Sequence, residues 1–222
     1  IYKLGQLLGI KAPIRIEAFD NSNLFGEYPV SAMVCFVNGV KSPKDYRKYH
    51  VKTVVGANDY ATMKEVIYRR YYRLMIEDSI MPDLIIMDGG IIQVNACLEV
   101  LSSLNLDIPV LGLKKDDNHK TNVLYFNGDT ISLAKNDDLY LFLANIQEAV
   151  HDFAISFFRN TKAKGMFLSR LDGIKGLGPK KKEALLKKYL TIDKIKTLSI
   201  EEFKSVGISE ELANKILNHL NN

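Results

Sequence analysis

Ile85-Ile86-Met87-Asp88-Gly89-Gly90 sets a carboxylate at the end of an apolar run of strand length, with two glycines behind it. Ile14-Arg15-Ile16-Glu17-Ala18-Phe19-Asp20 ends an alternating run on a second aspartate. Carboxylates at strand ends are costly to desolvate unless a cation meets them. If the two strands are neighbours, Asp20 and Asp88 face each other, and a divalent ion between them is a natural counter-charge. A third group comes from Leu139 to Phe158, where Leu139, Leu143, Ile146, Val150, Ala154 and Phe157 recur at helical spacing. His151 lies beside that stripe, with Glu148 three residues earlier on the same face. Carboxylates joined by one imidazole suit Mg2+ or Mn2+, manganese being the more tolerant of nitrogen. Asp59, at a helix start, and Gln93, just behind the glycine pair, are possible supporting groups. Each of these residues also has a plain structural reading. The aspartates can cap turns or helices, His151 can be a core residue, and Glu148 can be solvated or paired with His151.

A second kind of chemistry sits near the end of the chain. In Gly176-Leu177-Gly178-Pro179 the glycines let backbone N–H groups approach a phosphate, and the proline opens a helix whose amide end attracts anions. Lys180, Lys181 and Lys182 add charge beside it. Gly207-Ile208-Ser209 repeats the pattern without the second glycine. Arg47, Arg69 and Arg70 are further candidates for touching a nucleic-acid backbone. No nucleophile elbow, paired-cysteine site or phosphate loop of the Walker type competes with these groups.

The elements needed to position them can be read from the pattern. Strands are expected over 14–19, 29–38 and 46–54, with a tight turn at Asn38-Gly39. A helix capped by Asn58 or Asp59 runs to about Ile76. Leu84 to Met87 is a buried strand, followed by a helix from about Ile92 to Leu104 and a short strand over 109–113. Asp116 to Thr121 reads as a loop, Val123 to Leu133 as a hairpin turning at Asn127-Gly128, and Leu139 to Phe158 as a long helix. Antiparallel strands followed by helix, strand, helix, strand and a late helix give the order of a ribonuclease H-like α/β domain: a mixed sheet flanked by helices. From Leu168 the pattern changes to two helix-hairpin-helix units, too small to fold singly and expected to pack as one small all-α domain. The expected division is a linker remnant over 1–12, the α/β domain over 13–158, a basic linker over 159–167 and the tandem hairpins over 168–222.

Charge supports that division. The chain of 222 residues has a formal charge of +4, but residues 168–222 alone carry eleven Lys/Arg against seven Asp/Glu. Residues 159–167 add three basic residues and no acid, which leaves residues 1–158 slightly acidic. A basic tail of this kind favours a polyanionic partner. Cys35 and Cys97 lie far apart in apolar runs and read as reduced core residues, as expected in a cytoplasm. No run is long and apolar enough for a membrane span or a signal peptide.

Taken in order, Glu17-Ala18-Phe19-Asp20-Asn21-Ser22, Tyr46-Arg47-Lys48-Tyr49, Asp59-Tyr60-Ala61-Thr62-Met63, Arg69-Arg70-Tyr71, Asp88-Gly89-Gly90, Gln93 and His151-Asp152-Phe153-Ala154 resemble the C-terminal half of the UvrC family, excinuclease subunits of bacterial nucleotide excision repair. The resemblance runs from about Pro13 to the end and implies a ribonuclease H-like endonuclease followed by tandem hairpins. It implies an Asp-Asp-His site, carried here by Asp20, Asp88 and His151, that holds Mg2+ or Mn2+ and cuts DNA on the 5′ side of a lesion. Asp59 matches a family aspartate with a less direct role. The implied substrate is damaged double-stranded DNA with a bubble, and the implied partner of the full-length protein is a UvrB–DNA complex. The segment that would contact UvrB, and the family's other nuclease domain, fall outside the resemblance. Two positions depart from the family pattern: Asn23 stands where His is usual, and Gln147 where Arg is usual. The rival readings are a DNA-binding module with a dead nuclease site, and a ribonuclease H-like nuclease acting on an RNA–DNA hybrid or a recombination junction.

Overall fold

In the computed structural model, which describes residues 1–22, 30–51, 58–115, 121–134, 137–189 and 191–221, β1 (Arg15–Ser22) lies at the middle of an eight-stranded mixed sheet. On one side it pairs antiparallel with β2 (Val30–Val37), which turns through Asn38 and Gly39, both at positive φ, into β3 (Val40–Lys41). β4 (Arg47–His50) also pairs antiparallel with β2. On the other side β1 runs parallel to β5 (Leu84–Met87), and β5 runs parallel to β6 (Val110–Lys115). β7 (Thr121–Phe126) and β8 (Asp129–Ser132) complete the order β3-β2-β1-β5-β6-β7-β8 by antiparallel pairing. The parallel pairs need crossovers, and α2 (Asp59–Ile76) and α3 (Ile91–Ser103) supply them.

The two-residue period of a strand sorts the side chains of β1. Phe19 joins Met33, Cys35, Ile85 and Met87 in a core covered by Met63, Val66, Ile67 and Tyr71 of α2 and by Val94, Cys97 and Leu101 of α3. Ile16 and Ala18 face the other way, with Val34, Leu84, Ile86 and Leu111, against Leu143, Ile146 and Val150 of α4 (Asp138–Arg170). Asp20 and Asp88 continue the second series, so both belong to the α4 face.

Residues 1–12, expected as a linker, contain a packed helix instead. α1 (Tyr2–Leu8) buries Leu4 and Leu8 in the α4-side core and ends at Gly9, φ 66°. Two turns are too short for a helical period to emerge from the sequence. The helix expected to end at Phe158 continues to Arg170, through the stretch expected as a basic linker. That stretch has no proline to stop it, and its one glycine, Gly165, costs a helix only about 1 kcal/mol. The expected loop over 116–120 and the continuation of β4 over 52–54 lie outside the described residues, as does Asn23.

The chain divides into two compact units, residues 1–158 and 159–222. The second unit contains the end of α4, α5 (Pro179–Tyr189), α6 (Ile192–Lys196), α7 (Ile200–Lys204) and α8 (Glu210–Asn221) around Phe167, Leu171, Leu185, Phe203, Ile208 and Ile216. Its two turns share one local pattern. Gly176 and Gly207 both take positive φ, 96° and 76°, and each is followed by a buried aliphatic, Leu177 or Ile208. Among the described residues no helix is long and apolar enough to cross a membrane.

Candidate metal centre

The parallel ladder of β1 and β5 pairs Phe19 with Met87, and the Asp88 N–H donates to the Phe19 carbonyl at 2.9 Å. Pairing therefore continues one residue past the strand, placing Asp88 beside Asp20 at the carboxyl ends of two adjacent parallel strands. Ligand sites in α/β sheets gather at such ends. The α4 face then brings in His151, which is one helical turn beyond Gln147. The His151 Nδ1 lies 3.1 Å from Asp20 Oδ2 and 4.0 Å from Asp88 Oδ2. One ligand atom from each residue falls within 4.8 Å of the others. Both aspartates are nearly dry while the imidazole is half-exposed, so the group opens to solvent on the α4 side.

Two buried carboxylates at this separation repel unless a cation lies between them. In this structure both are paired with the same imidazole. Two carboxylate oxygens and one ring nitrogen, converging from three elements, form a donor set suited to a hard or borderline divalent ion. Asp20, Asp88 and His151 therefore fit the group that the sequence leads one to expect.

The neighbours explain how the site is held. Gln147 is buried, and its side-chain amide donates to Asp88 Oδ1, so the position that departs from the family pattern orients a site carboxylate. Ser31 donates its hydroxyl to the Asp20 carbonyl at 3.0 Å, fixing the end of β1. Gly112 on β6 is a feature the sequence reading missed. A Cβ there would come within 2.7 Å of Val94 and 2.9 Å of the Gly89 carbonyl, so only glycine lets the Asp88 turn fold down onto β6. An isolated glycine inside an apolar strand is the signal that could have found it.

The supporting candidates are distributed differently. Gln93 folds over the Gly89 α-carbon and is half-buried. Asp59 is exposed at the start of α2, where Asn58 is the cap and accepts from the Ala61 N–H. Asn21, next to Asp20, donates to the Asp59 carbonyl at 3.2 Å, which ties that helix start to the end of β1. Glu148 points to solvent and is not part of the group formed by Asp20, Asp88 and His151.

The three arginines have unequal fates. Arg70 is buried. Its Nη2 donates to Glu17 Oε1 at 2.6 Å and its Nε to Glu17 Oε2 at 3.1 Å, with Arg15 and the Tyr71 hydroxyl on the same carboxylate. That commitment corrects the expectation of a surface role for Arg70. Arg69 donates to the His50 carbonyl and to Glu65, and Arg47 to the carbonyls of Lys44 and Tyr46. Both remain partly or fully exposed.

In the second unit, Gly178 accepts from the N–H groups of Lys181 and Lys182 and so caps α5. Lys180 is exposed, Lys181 half-buried, and Lys182 is paired with Asp172. The second turn, at Gly207, leads into a helix whose first turn carries Glu210 and Glu211. Those carboxylates oppose an anion there, so the two turns differ in charge although they agree in backbone.

Over residues 5–155 the chain matches the family described as the UvrC RNAse H endonuclease domain, and over residues 168–222 the SAM-like helix-hairpin-helix tandem. The UvrABC system protein C of Streptococcus gordonii is 51% identical over 225 residues, covering 100% of this chain and 37% of that protein. The UvrABC system protein C of Streptococcus sanguinis is 50% identical with the same coverage. The chain thus spans little more than a third of the length of these curated relatives. Among solved structures, Ciona intestinalis Endonuclease V in complex with a 24mer DNA aligns with a TM-score of 0.41 at 9% identity, over 67% of this chain and 87% of that one. That likeness is too slight to bear on function.

Proposed function

The chain belongs to the UvrC family, and from that premise we propose that it is a divalent-metal-dependent DNA endonuclease making the incision 5′ to a lesion in nucleotide excision repair. The observation that carries this reading is the convergence of Asp20, Asp88 and His151 within 4.8 Å at the carboxyl ends of β1 and β5. Asp20, Asp88 and His151 would hold Mg2+ or Mn2+, which when bound lowers the pKa of a coordinated water and offsets charge developing on the scissile phosphate. The chain's own contribution is position. β1 and β5 set the two carboxylates side by side, α4 presents the imidazole, and the Gln147 amide keeps the Asp88 carboxylate turned toward them. Hydrolysis of the phosphodiester would leave a 5′-phosphate and a 3′-hydroxyl.

The tandem hairpins would hold the DNA backbone without reading bases, chiefly through Gly176, Gly178, Lys180 and Lys181. Gly207 would contribute less, because Glu210 and Glu211 follow it. Exposed Arg47 and half-exposed Arg69 are further backbone contacts in this reading. The domains would be the ribonuclease H-like endonuclease and the hairpin pair, acting in the cytoplasm on a UvrB–DNA complex as part of the longer protein.

The test is nicking of a lesion-bearing bubble duplex with and without Mg2+ or Mn2+. Cutting should require the metal, and Asp88→Ala should lower it at least about 10³-fold while DNA binding persists. Retained cutting by Asp88→Ala overturns the site. Binding without any cutting leaves a DNA-binding module, and preference for a hybrid or a junction over the bubble moves the substrate elsewhere.

A further inference from the structure

We propose that Lys48 holds a phosphate of the substrate strand beside the scissile bond, on an aromatic floor that continues the metal site sideways across the sheet. The inference rests on the reading of Asp20, Asp88 and His151 as a nuclease centre and adds a residue outside it.

Register places Lys48. Asp20 pairs with Ala32, and Ala32 pairs with Lys48, so the three stand in one row across β1, β2 and β4. Residues paired across a sheet share a face, which makes Lys48 a neighbour of Asp20 on the α4 side, two strand spacings or about 10 Å away. The residue between them is alanine, so no long side chain is interposed.

Packing then aims the ammonium. Its nitrogen sits 4.9 Å from the centre of the Phe153 ring and 5.4 Å from that of Phe157. These rings lie on α4 just beyond His151. Tyr46 meets Phe153 edge-on at 5.1 Å, and His50 meets Phe157 at 4.8 Å, so β4 and α4 build a ring-lined surface beneath the cation. Ring faces attract an ammonium electrostatically and restrict where it points, yet they leave its N–H donors for another acceptor. Lys48 is exposed, and among the described residues no carboxylate pairs with it. The nearby guanidiniums differ: Arg70 is spent on Glu17, and Arg69 on Glu65 and the His50 carbonyl. An exposed cation set over two rings, without a carboxylate and level with Asp20, is suited to one more phosphate of the strand being cut.

The experiment compares wild type with Lys48→Met and Lys48→Arg in steady-state nicking of the bubble duplex, and in DNA binding over a salt series. Lys48→Met should raise KM about tenfold with kcat little changed, and the slope of log affinity against log salt should become shallower by about one. Lys48→Arg should restore both. A lysine that only packs on the rings would lower the melting temperature and leave the salt slope alone. Wild-type KM and slope in Lys48→Met overturn the inference. If wild type does not nick at all, the nuclease reading fails, and the salt slope still decides whether Lys48 meets a phosphate.

Discussion

Glu17 and Asp20 stand three residues apart on one strand, and that odd spacing sends them to opposite faces and opposite work. Glu17 is fully buried between Arg15, Arg70 and the Tyr71 hydroxyl, whereas Asp20 meets His151. The Glu17–Arg70 pair is one whose removal by halves is expensive, because the remaining charge is left buried alone. Glu17→Ala should therefore destabilise the chain by about 3–5 kcal/mol, read as a lowered midpoint in urea unfolding. Arg70→Ala should lose DNA binding only in step with lost folding, unlike Lys48→Met. Little of this was legible in the sequence. Arg69 and Arg70 look equivalent in a string of letters, but one helical step of 100° carries the second inside. Its partner is 53 residues away, beyond any local pattern. Asp20 and Asp88 stood out because each closes a strand-like run, yet either alone reads equally well as a turn cap, and their meeting with His151 could not be read from local pattern.

At the scale of elements, the legible parts are those with sharp edges. β5 spans Leu84–Met87 as the apolar run demands, bounded by Pro82 before and Gly89 after. α2 begins at Asp59 behind its Asn58 cap. α1 and the last third of α4 were not legible, the first for want of length and the second because a basic composition resembles a linker even when it is helical. The turns of the hairpin unit give a test that separates backbone need from ligand need. Gly176 takes φ 96°, so any side chain there strains the turn as well as blocking a ligand. Gly178 has no such φ, and nothing lies within 4 Å of where its Cβ would be. Gly178→Val should consequently leave the melting temperature within a few degrees of wild type and still weaken binding to duplex DNA several-fold. Unchanged affinity in a gel-shift titration would take this turn out of the DNA-binding surface.

For the whole molecule, the α2-side core sets the limit of tolerance to alkali. Burial pushes the Cys35 thiol up to about 11 and the Tyr49 hydroxyl up to about 12, and raises Cys97 and Tyr71 well above their ordinary values. The folded chain keeps these protons to higher pH than the unfolded chain does. Stability fully present below the unfolded thiol pKa of about 9 is therefore lost as pH rises toward 11 and 12. Thermal melts from pH 8 to 11.5 should show a steady fall in Tm, and Cys35→Ala should flatten its first part. Native Cys35 and Cys97 should resist alkylation at pH 8 and react once the chain is unfolded. The row from Asp20 through Ala32 to Lys48, set beside Asp88 on β5, has one more consequence. A slip of β1 by a single residue against β5 would turn Asp20 toward α2 and Glu17 toward α4, leaving no acidic pair to be completed by His151. On the proposed reading, the metal site is thus not assembled until three stretches of chain, each some sixty residues from the next, have met in one register. A half-made copy of this polypeptide would, on the same reading, lack the donor set by geometry alone and need no inhibitor to keep it harmless to DNA.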